Sequence, residues 1–520
     1  MPAGSSSPAR EGRAFPLTEI PPMTTRPTAR RLRLLALPAL VLVTLAGARA
    51  ADDPAPPRFE PATTRTLREF GATGRPDADD TAALARAFAV SDQSCLDGEG
   101  QSYRVDGMLR IEKSVCLRNA TLVQIAEPFD TSRAITQTCP AIEDAAAVVD
   151  CGDPAVPQAE LAALGRSLSI RTLLVRPAAP DRQIRINFVN VTVDRGRHPD
   201  IGSRSDSAGI WLQQAERIDL DRVEITGYGR GYGLMIVDSR NVTITDIHLH
   251  DMIWAPYRGD APLTRERAKQ FGWNSIPVRE FRYANGTTIK ESKFYGVRVQ
   301  EGVTCGFVTR STKVVVTNAR VSRCGAFFDT GFLPWQADGF DIGSSSENVT
   351  FNRPRIDQVW EGIDVVAGGT GIRNLAINDA VISDVFAFGI KLGYSLSDVR
   401  VERPTVTRAA YDGIIVYGPV RNAVIRDAVL SEMGYFDLDR APMQPWEGTS
   451  VGGIRLSKGT SGQSPEIVFP DGVTIERARV ANRVRPGAYF YGFINSGAAN
   501  ARLIDATATG YRTAVSTGFK

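Results

Sequence analysis

A five-residue phrase, x-Gly-apolar-x-apolar, returns along this chain and limits its possible folds more than any other feature. It reads AGIWL at Ala208, YGLMI at Tyr232, CGFVT at Cys305 and DGFDI at Asp338. It continues as EGIDV at Glu361, FGIKL at Phe388, DGIIV at Asp412, GGIRL at Gly452 and YGFIN at Tyr491. The spacings cluster near about 24 residues, with longer gaps where insertions fall. Between copies run short β-branched stretches such as NVTITDIHL and NLAINDAVISDV, in which apolar residues alternate as in a half-buried strand. A unit this short, holding two or three strands, cannot bury its own apolar face, but stacked on its neighbours it buries a continuous column. The pattern therefore predicts an all-β, single-stranded parallel β-helix, each strand pairing with its equivalent one coil on at about 4.8 Å. Leucine-rich repeats share the period, but their Leu-x-x-Leu-x-Leu signature is absent, and propeller blades need about 40 residues or more.

The start of the solenoid is legible as well. LREFGATGRPDADDTAALARAFAV, Leu67 to Val90, joins a turn-prone GATGRPDADD to an Ala-rich amphipathic run. A short helix is expected there, capped by Asp80 or Thr81 and covering the open edge of the first coil. This opening resembles that of the pectin lyase-like superfamily: a strand, FGA-x-G, an aspartate-rich turn and a capping helix. The resemblance implies that the β-helix is right-handed and that the solenoid domain spans residues 64–520. Loop insertions are expected near 253–285 and 434–450, with a linker at 51–63.

Residues 1–50 read as an N-terminal extension and export signal. TARRLR supplies positive charge, LLALPALVLVTLAG is an apolar core short for a membrane span, and ARA precedes Ala51. The Ser/Pro-rich stretch before Met23 is unlike a signal, so Met23 is the expected start. Cleavage after Ala50 would give a secreted or periplasmic protein with no stable membrane anchor. It would also move the formal charge from +3 for the whole chain to −2 for residues 51–520, which hold 54 basic and 56 acidic residues. A near-neutral body gives no support for a nucleic-acid partner. The six cysteines, Cys95, Cys116, Cys139, Cys151, Cys305 and Cys324, all follow the signal. An even count in an exported chain favours disulfides, and sequential pairing is the simplest of about fifteen connectivities.

Within the phrase, the residue two places after Gly should point away from the core. Down the stack that position reads Trp211, Met235, Val308, Asp341, Asp364, Lys391, Ile415, Arg455 and Ile494. The residue just before Gly reads Asp338, Glu361, Phe388 and Asp412 over the central coils. Four carboxylates, Asp338, Asp341, Glu361 and Asp364, thus fall on two neighbouring rungs. Like charges so close disfavour full ionisation unless a cation or shared proton relieves them, and such clusters mark functional sites. In these coils the chain resembles polygalacturonase-like glycoside hydrolases, which carry Asn-Thr-Asp-Gly, Asp-Asp, Gly-His-Gly and Arg-Ile-Lys phrases on successive coils. QADGFDI is similar to the first and places Asp338 on its catalytic aspartate. WEGIDV falls on the Asp-Asp pair, with Glu361 on the second member and Trp360 on the first. AFGIKLG has Phe388 in place of the histidine, and DGIIVYG has Ile415 and Tyr417 in place of the basic pair.

Glycoside hydrolysis needs one protonated carboxylic acid and one carboxylate. Asp338 and Glu361 are the expected pair, with Asp341 and Asp364 tuning them and no cofactor required. Uronate β-elimination is the alternative: Lys391 would abstract the proton and Asp341 and Asp364 would hold a cation such as Ca²⁺. A non-catalytic carbohydrate-binding β-helix is the third reading. The insertions carry aromatic and arginine side chains suited to stacking on sugars and pairing with their carboxylates. Trp254, Trp335, Trp360, Tyr417, Asp412 and Arg455 are the expected substrate-binding residues. His248 and His250, in DIHLHDM, alternate on a strand, and His198 lies in a turn; they are read as surface or packing histidines, not as a metal site.

Overall fold

The computed structural model describes residues 55–126, 148–151, 171–196, 207–227, 231–254, 279–283, 288–294, 297–299, 303–328, 331–333, 337–366, 371–434, 436–438, 441–443, 451–459 and 466–520. The expected signal, residues 1–50, and Cys139 lie outside them. Among the described residues no helix is long and apolar enough to cross a membrane.

Successive coils each lay down three strands, and equivalent strands pair in parallel from coil to coil. Ala337–Gly343, Glu347–Asn352 and Arg355–Asp357 form one coil. The next contributes Ile363–Val366, Ile372–Asn378 and Val381–Val385. The first strands of the coils stack into a sheet of 12 described strands, here the first face. The second and third strands run through a sheet of 21 described strands and supply the other two faces. Inward residues such as Phe340, Phe351, Ile356, Ile363, Ile377 and Ile382 are fully buried and form one continuous core.

The repeated glycine has a steric cause. A Cβ at Gly339 would stand 2.5 Å from the Gly362 carbonyl oxygen and 2.8 Å from Ile356 Cγ2. At Gly362 the same atom would meet the Gly389 carbonyl at 2.4 Å, and at Gly389 the Gly413 carbonyl at 2.6 Å. The corner between the third and first faces therefore has no space for a side chain. At the corner between the second and third faces, Asp246, Asn318, Arg353, Asp379, Arg403, Asp427 and Arg477 all adopt left-handed φ of 51–54°. That region is uncommon outside Gly, Asn and Asp. Arg403 and Arg477 are held by bidentate pairs to Asp379 and Asp427 on the corner below, and Arg353 donates Nε to Asn318 Oδ1 at 2.9 Å.

Thr81–Phe88 is the expected helix, with Leu84, Ala87 and Phe88 closing the first end of the core. Asp80 holds the N-cap position, but its carboxylate does not cap the helix. It accepts hydrogen bonds from Thr73 N at 2.7 Å and Gly74 N at 3.3 Å, closing the preceding turn, while Asp79 accepts from Thr81 N at 2.9 Å. Residues 55–60 lie along the solenoid flank: Asn187 Nδ2 donates to the Phe59 carbonyl at 3.0 Å and Arg217 to the Pro56 carbonyl at 2.6 Å. Cys95–Cys116 and Cys305–Cys324 are disulfides, as sequential pairing predicts. The Cys139–Cys151 pair falls outside the described residues. Both insertions contain β-hairpins, Arg279–Tyr283 with Thr288–Phe294 and Phe436–Leu438 with Ala441–Met443. The first of these also pairs in parallel with Val148–Cys151.

Gly389→Ala places a methyl against the Gly413 carbonyl and Val406, both at 2.6 Å. Overpacking of this kind costs about 1–3 kcal/mol. Thermal and denaturant unfolding should show that loss in a chain that still forms β-structure by circular dichroism.

Candidate active site

The outward ladder of the first face is real, with one slip. Trp211 pairs with Met235, Met235 with Phe307, and Phe307 with Asp341. Asp341 pairs with Asp364, Asp364 with Lys391, Lys391 with Ile415, Ile415 with Arg455 and Arg455 with Ile494. The expected member Val308 is instead a core residue, in register with Ile342, and Phe307 takes its place. In this coil Cys305 occupies the glycine position, and Gly306 stands where other coils have an inward side chain. Phe340 fills the space that Gly306 leaves, 2.4 Å from where its Cβ would be.

The slip brings in a residue that the glycine frame missed. Thr304 is in register with Asp338, and its Oγ1 donates to Asp341 Oδ2 at 3.0 Å. The Cys305–Cys324 disulfide fixes the adjacent backbone. No sequence signal marked Thr304, because the template read Cys305 as the residue before the glycine.

Four carboxylates and one ammonium meet on the next coils. Asp338 Oδ1 accepts the Glu361 backbone N–H at 3.1 Å. Lys391 Nζ donates to Glu361 Oε2 at 2.8 Å and to Asp364 Oδ2 at 3.0 Å. Asp341 Oδ1 and Asp364 Oδ1 are buried with no hydrogen-bond partner. Glu361 and Asp364 are each only 5% exposed, whereas Asp338 and Asp341 are half-buried. Asp364, on the outward ladder, and Glu361, just before the glycine, thus lie outside the core yet are covered in the assembled stack.

Burial dominates the electrostatics. It pushes the Asp338 carboxyl well above the usual aspartate range, and the charges of Asp341 and Asp364 push it further. Asp341 is raised by burial and by Asp364, against the hydrogen bond from Thr304. Glu361 is raised by burial despite the attraction of Lys391. Burial on its own would lower Lys391, but the Glu361 and Asp364 carboxylates outweigh it and hold the ammonium charged well above the ordinary lysine range. A lysine base needs the reverse arrangement. The pairing of Lys391 with Glu361 and Asp364 disfavours its use as the abstracting base of the elimination reading. One oxygen each of Asp338, Asp341 and Asp364 lies within 4.8 Å of the others, so these three could offer ligands to a hard cation such as Ca²⁺.

The expected substrate-binding residues are not all free to bind. Asp412 is buried, and Arg455 grips it with Nε to Oδ2 at 2.6 Å and Nη2 to Oδ1 at 3.0 Å. Asp412 Oδ1 also accepts the Gly452 N–H at 2.6 Å, so this pair ties two coils together. Trp360 stacks on Phe386 at 4.5 Å, and Phe388 leans on Tyr411 at 5.5 Å. Tyr417 lies edge-on to Tyr394 at 5.4 Å, over Gly393, where a Cβ would come within 2.1 Å of its ring. The side chains of Trp254 and Trp335 lie outside the described residues.

The charge cluster predicts its own pH dependence. Asp338, Asp341 and Glu361 are raised in the folded state, which there binds more protons than the unfolded chain. Stability should be fully present below the ordinary carboxylate range and fall as pH rises through the raised values. Asp341→Asn removes one of the repelling charges, so its melting temperature should exceed that of wild type by a few degrees at pH 8. The gap should close towards pH 4, as measured by calorimetry across the range.

The family described as "right handed beta helix region" matches residues 182–375. No curated protein sequence is significantly similar to the chain. Among solved structures, it is similar to the A-module of a mannuronan C-5 epimerase from Azotobacter vinelandii, at 12% identity and a TM-score of 0.39, covering 87% of this chain and 98% of that one. It is also similar to an endo-xylogalacturonan hydrolase from Aspergillus tubingensis, at 11% identity and a TM-score of 0.34, covering 87% and 95%. A Geobacillus virus E2 protein is matched at 11% identity and a TM-score of 0.35; 86% of this chain is covered, but only 60% of the viral one. With its three-faced parallel coils, its capping helix and this family match, the chain has the fold of a right-handed parallel β-helix.

Proposed function

We propose that the protein is a secreted glycoside hydrolase that cleaves an acidic or complex polysaccharide at the Asp338–Asp341 cluster. One observation carries the reading: two half-exposed carboxyls, Asp338 and Asp341, are kept prone to hold a proton, next to Glu361 and Asp364, which a cationic lysine grips. Like charges this close cannot both ionise easily, so the pair shares a proton and supplies an acid and a base together. Asp338, at the position of the family's catalytic aspartate, protonates the leaving glycosidic oxygen. Asp341, steadied by Thr304, is the carboxylate that acts on water or on the sugar. The partner role moves here from Glu361, which is buried and committed to Lys391. Glu361, Asp364 and Lys391 then set how many protons the pair retains. The two described disulfides support export to an oxidising compartment.

A panel of pectic, alginate-like and neutral polysaccharides tests the proposal, with new reducing ends and the absorbance of unsaturated sugars read in parallel. Reducing ends should form without unsaturated product, and EDTA should leave the rate unchanged. Asp338→Asn and Asp341→Asn should each lower kcat by at least about a hundredfold, the scale of positioned acid–base catalysis. Unsaturated product that disappears in Lys391→Ala would establish elimination instead. Binding of a polysaccharide with no turnover, unaffected by either aspartate change, would establish a binding protein.

A further inference from the structure

His248 and His250 occupy alternate positions of a three-residue strand on the third face, with Leu249 buried between them. Their rings stack at 4.0 Å between centroids, with 27° between planes. Glu224, one coil earlier, is in register with His248, and its Oε1 lies 2.8 Å from His250 Nε2. The far atoms of this contact are already held. His250 Nδ1 is 2.9 Å from Asp251 Oδ2, and Arg323 Nε donates to Asp251 Oδ1 at 2.8 Å. Glu224 Oε2 accepts a hydrogen bond from Thr192 Oγ1 at 3.3 Å. One nitrogen of each histidine and one oxygen of Glu224 lie within 4.8 Å of one another.

We propose that Glu224, His248 and His250 form a binding site for a first-row divalent metal ion, with zinc the best fit. Two imidazoles and a carboxylate suit zinc, and nitrogen donors disfavour calcium and magnesium. Tetrahedral zinc, with ligands at about 2.0–2.1 Å, sets its donor atoms about 3.3 Å apart. The Glu224–His250 contact and the spacing of the trio bracket that value. Zinc takes the place of the proton now lying between His250 Nε2 and Glu224 Oε1. Asp251 is the outer carboxylate that fixes the tautomer and angle of a metal-bound histidine. All three ligands are half-buried, so a fourth position opens to solvent. Arg320, in register with His248 on the next coil, bounds the site. The ion would join two coils, with Glu224 on one and His248 and His250 on the next.

Zinc chloride titrated calorimetrically into the mature protein, free of any histidine tag, tests the site, together with melting curves in zinc and in EDTA. One zinc should bind per chain and raise the melting temperature, because the ion favours the folded state. His248→Ala should weaken binding by at least about tenfold, and Asp251→Asn, which keeps all three ligands, by about 10- to 100-fold. Asp341→Asn should leave zinc affinity unchanged, which separates this site from the acidic cluster. Should His248→Ala not fold, as judged by its melt in EDTA, Asp251→Asn carries the test alone. Absence of 1:1 binding, or an affinity unchanged in the variants that fold, overturns the proposal.

Discussion

Backbone contact at one corner of each coil governs this molecule. At Gly339, Gly362 and Gly389 the carbonyl of the following coil fills the volume that a Cβ would need, at 2.4–2.6 Å. Such contact keeps successive coils in parallel register at the strand spacing of about 4.8 Å. Once the register is fixed, residues at one position of the phrase have no choice of neighbour. A charge on one coil must stand beside whatever the next coil places there. Asp341, Asp364 and Lys391 are contiguous for this reason, although 50 residues of chain separate the first from the last.

The same stacking is resolved in two opposite ways on different parts of the solenoid. Along the left-handed corners acids and arginines alternate, as in Asp379–Arg403, Asp384–Arg408 and Asp427–Arg477. These pairs are solvated and nearly neutral, and pairs of this kind contribute little each. On the first face four carboxylates face one lysine in a dry setting, and burial rather than solvent decides the protonation of Asp338, Asp341 and Glu361. The Asp412–Arg455 pair two coils on shows that a matched ion pair is available at the same ladder. The cluster at Asp338–Lys391 lacks that balance, and its excess of acid is the feature on which the proposed hydrolysis rests.

Where sequence reading failed, the cause was a single marker. The phrase was anchored on glycine, and in the coil of Cys305 the glycine stands one residue late. Register shows Cys305 at the corner, Gly306 yielding its inward space to Phe340, and Thr304 beside Asp338. The disulfide to Cys324 uses the one corner position in that run that keeps a side chain. The grouping of the histidines with Glu224 was hidden for a different reason. HLH alone is a weak signal, and Glu224 lies 24 residues before His248, joined to it only by strand pairing.

The sequence by itself determined the solenoid, its faces, the capping helix, two disulfides and the gathering of Asp338, Asp341, Glu361, Asp364 and Lys391. Periodicity encodes the solenoid, its faces and that gathering, because alternation and repeat length dictate which residues stack. The helix came from its own turn and Ala-rich run, and the disulfides from the even cysteine count. Tertiary structure alone decided which of the charges are covered and what each one touches. Lys391 becomes a fixed cation, Glu361 a buried partner and Asp341 a half-buried carboxyl because desolvation and hydrogen-bond donors belong to the assembled stack. Periodicity places side chains in order along a face, but it carries no measure of how much water remains around them.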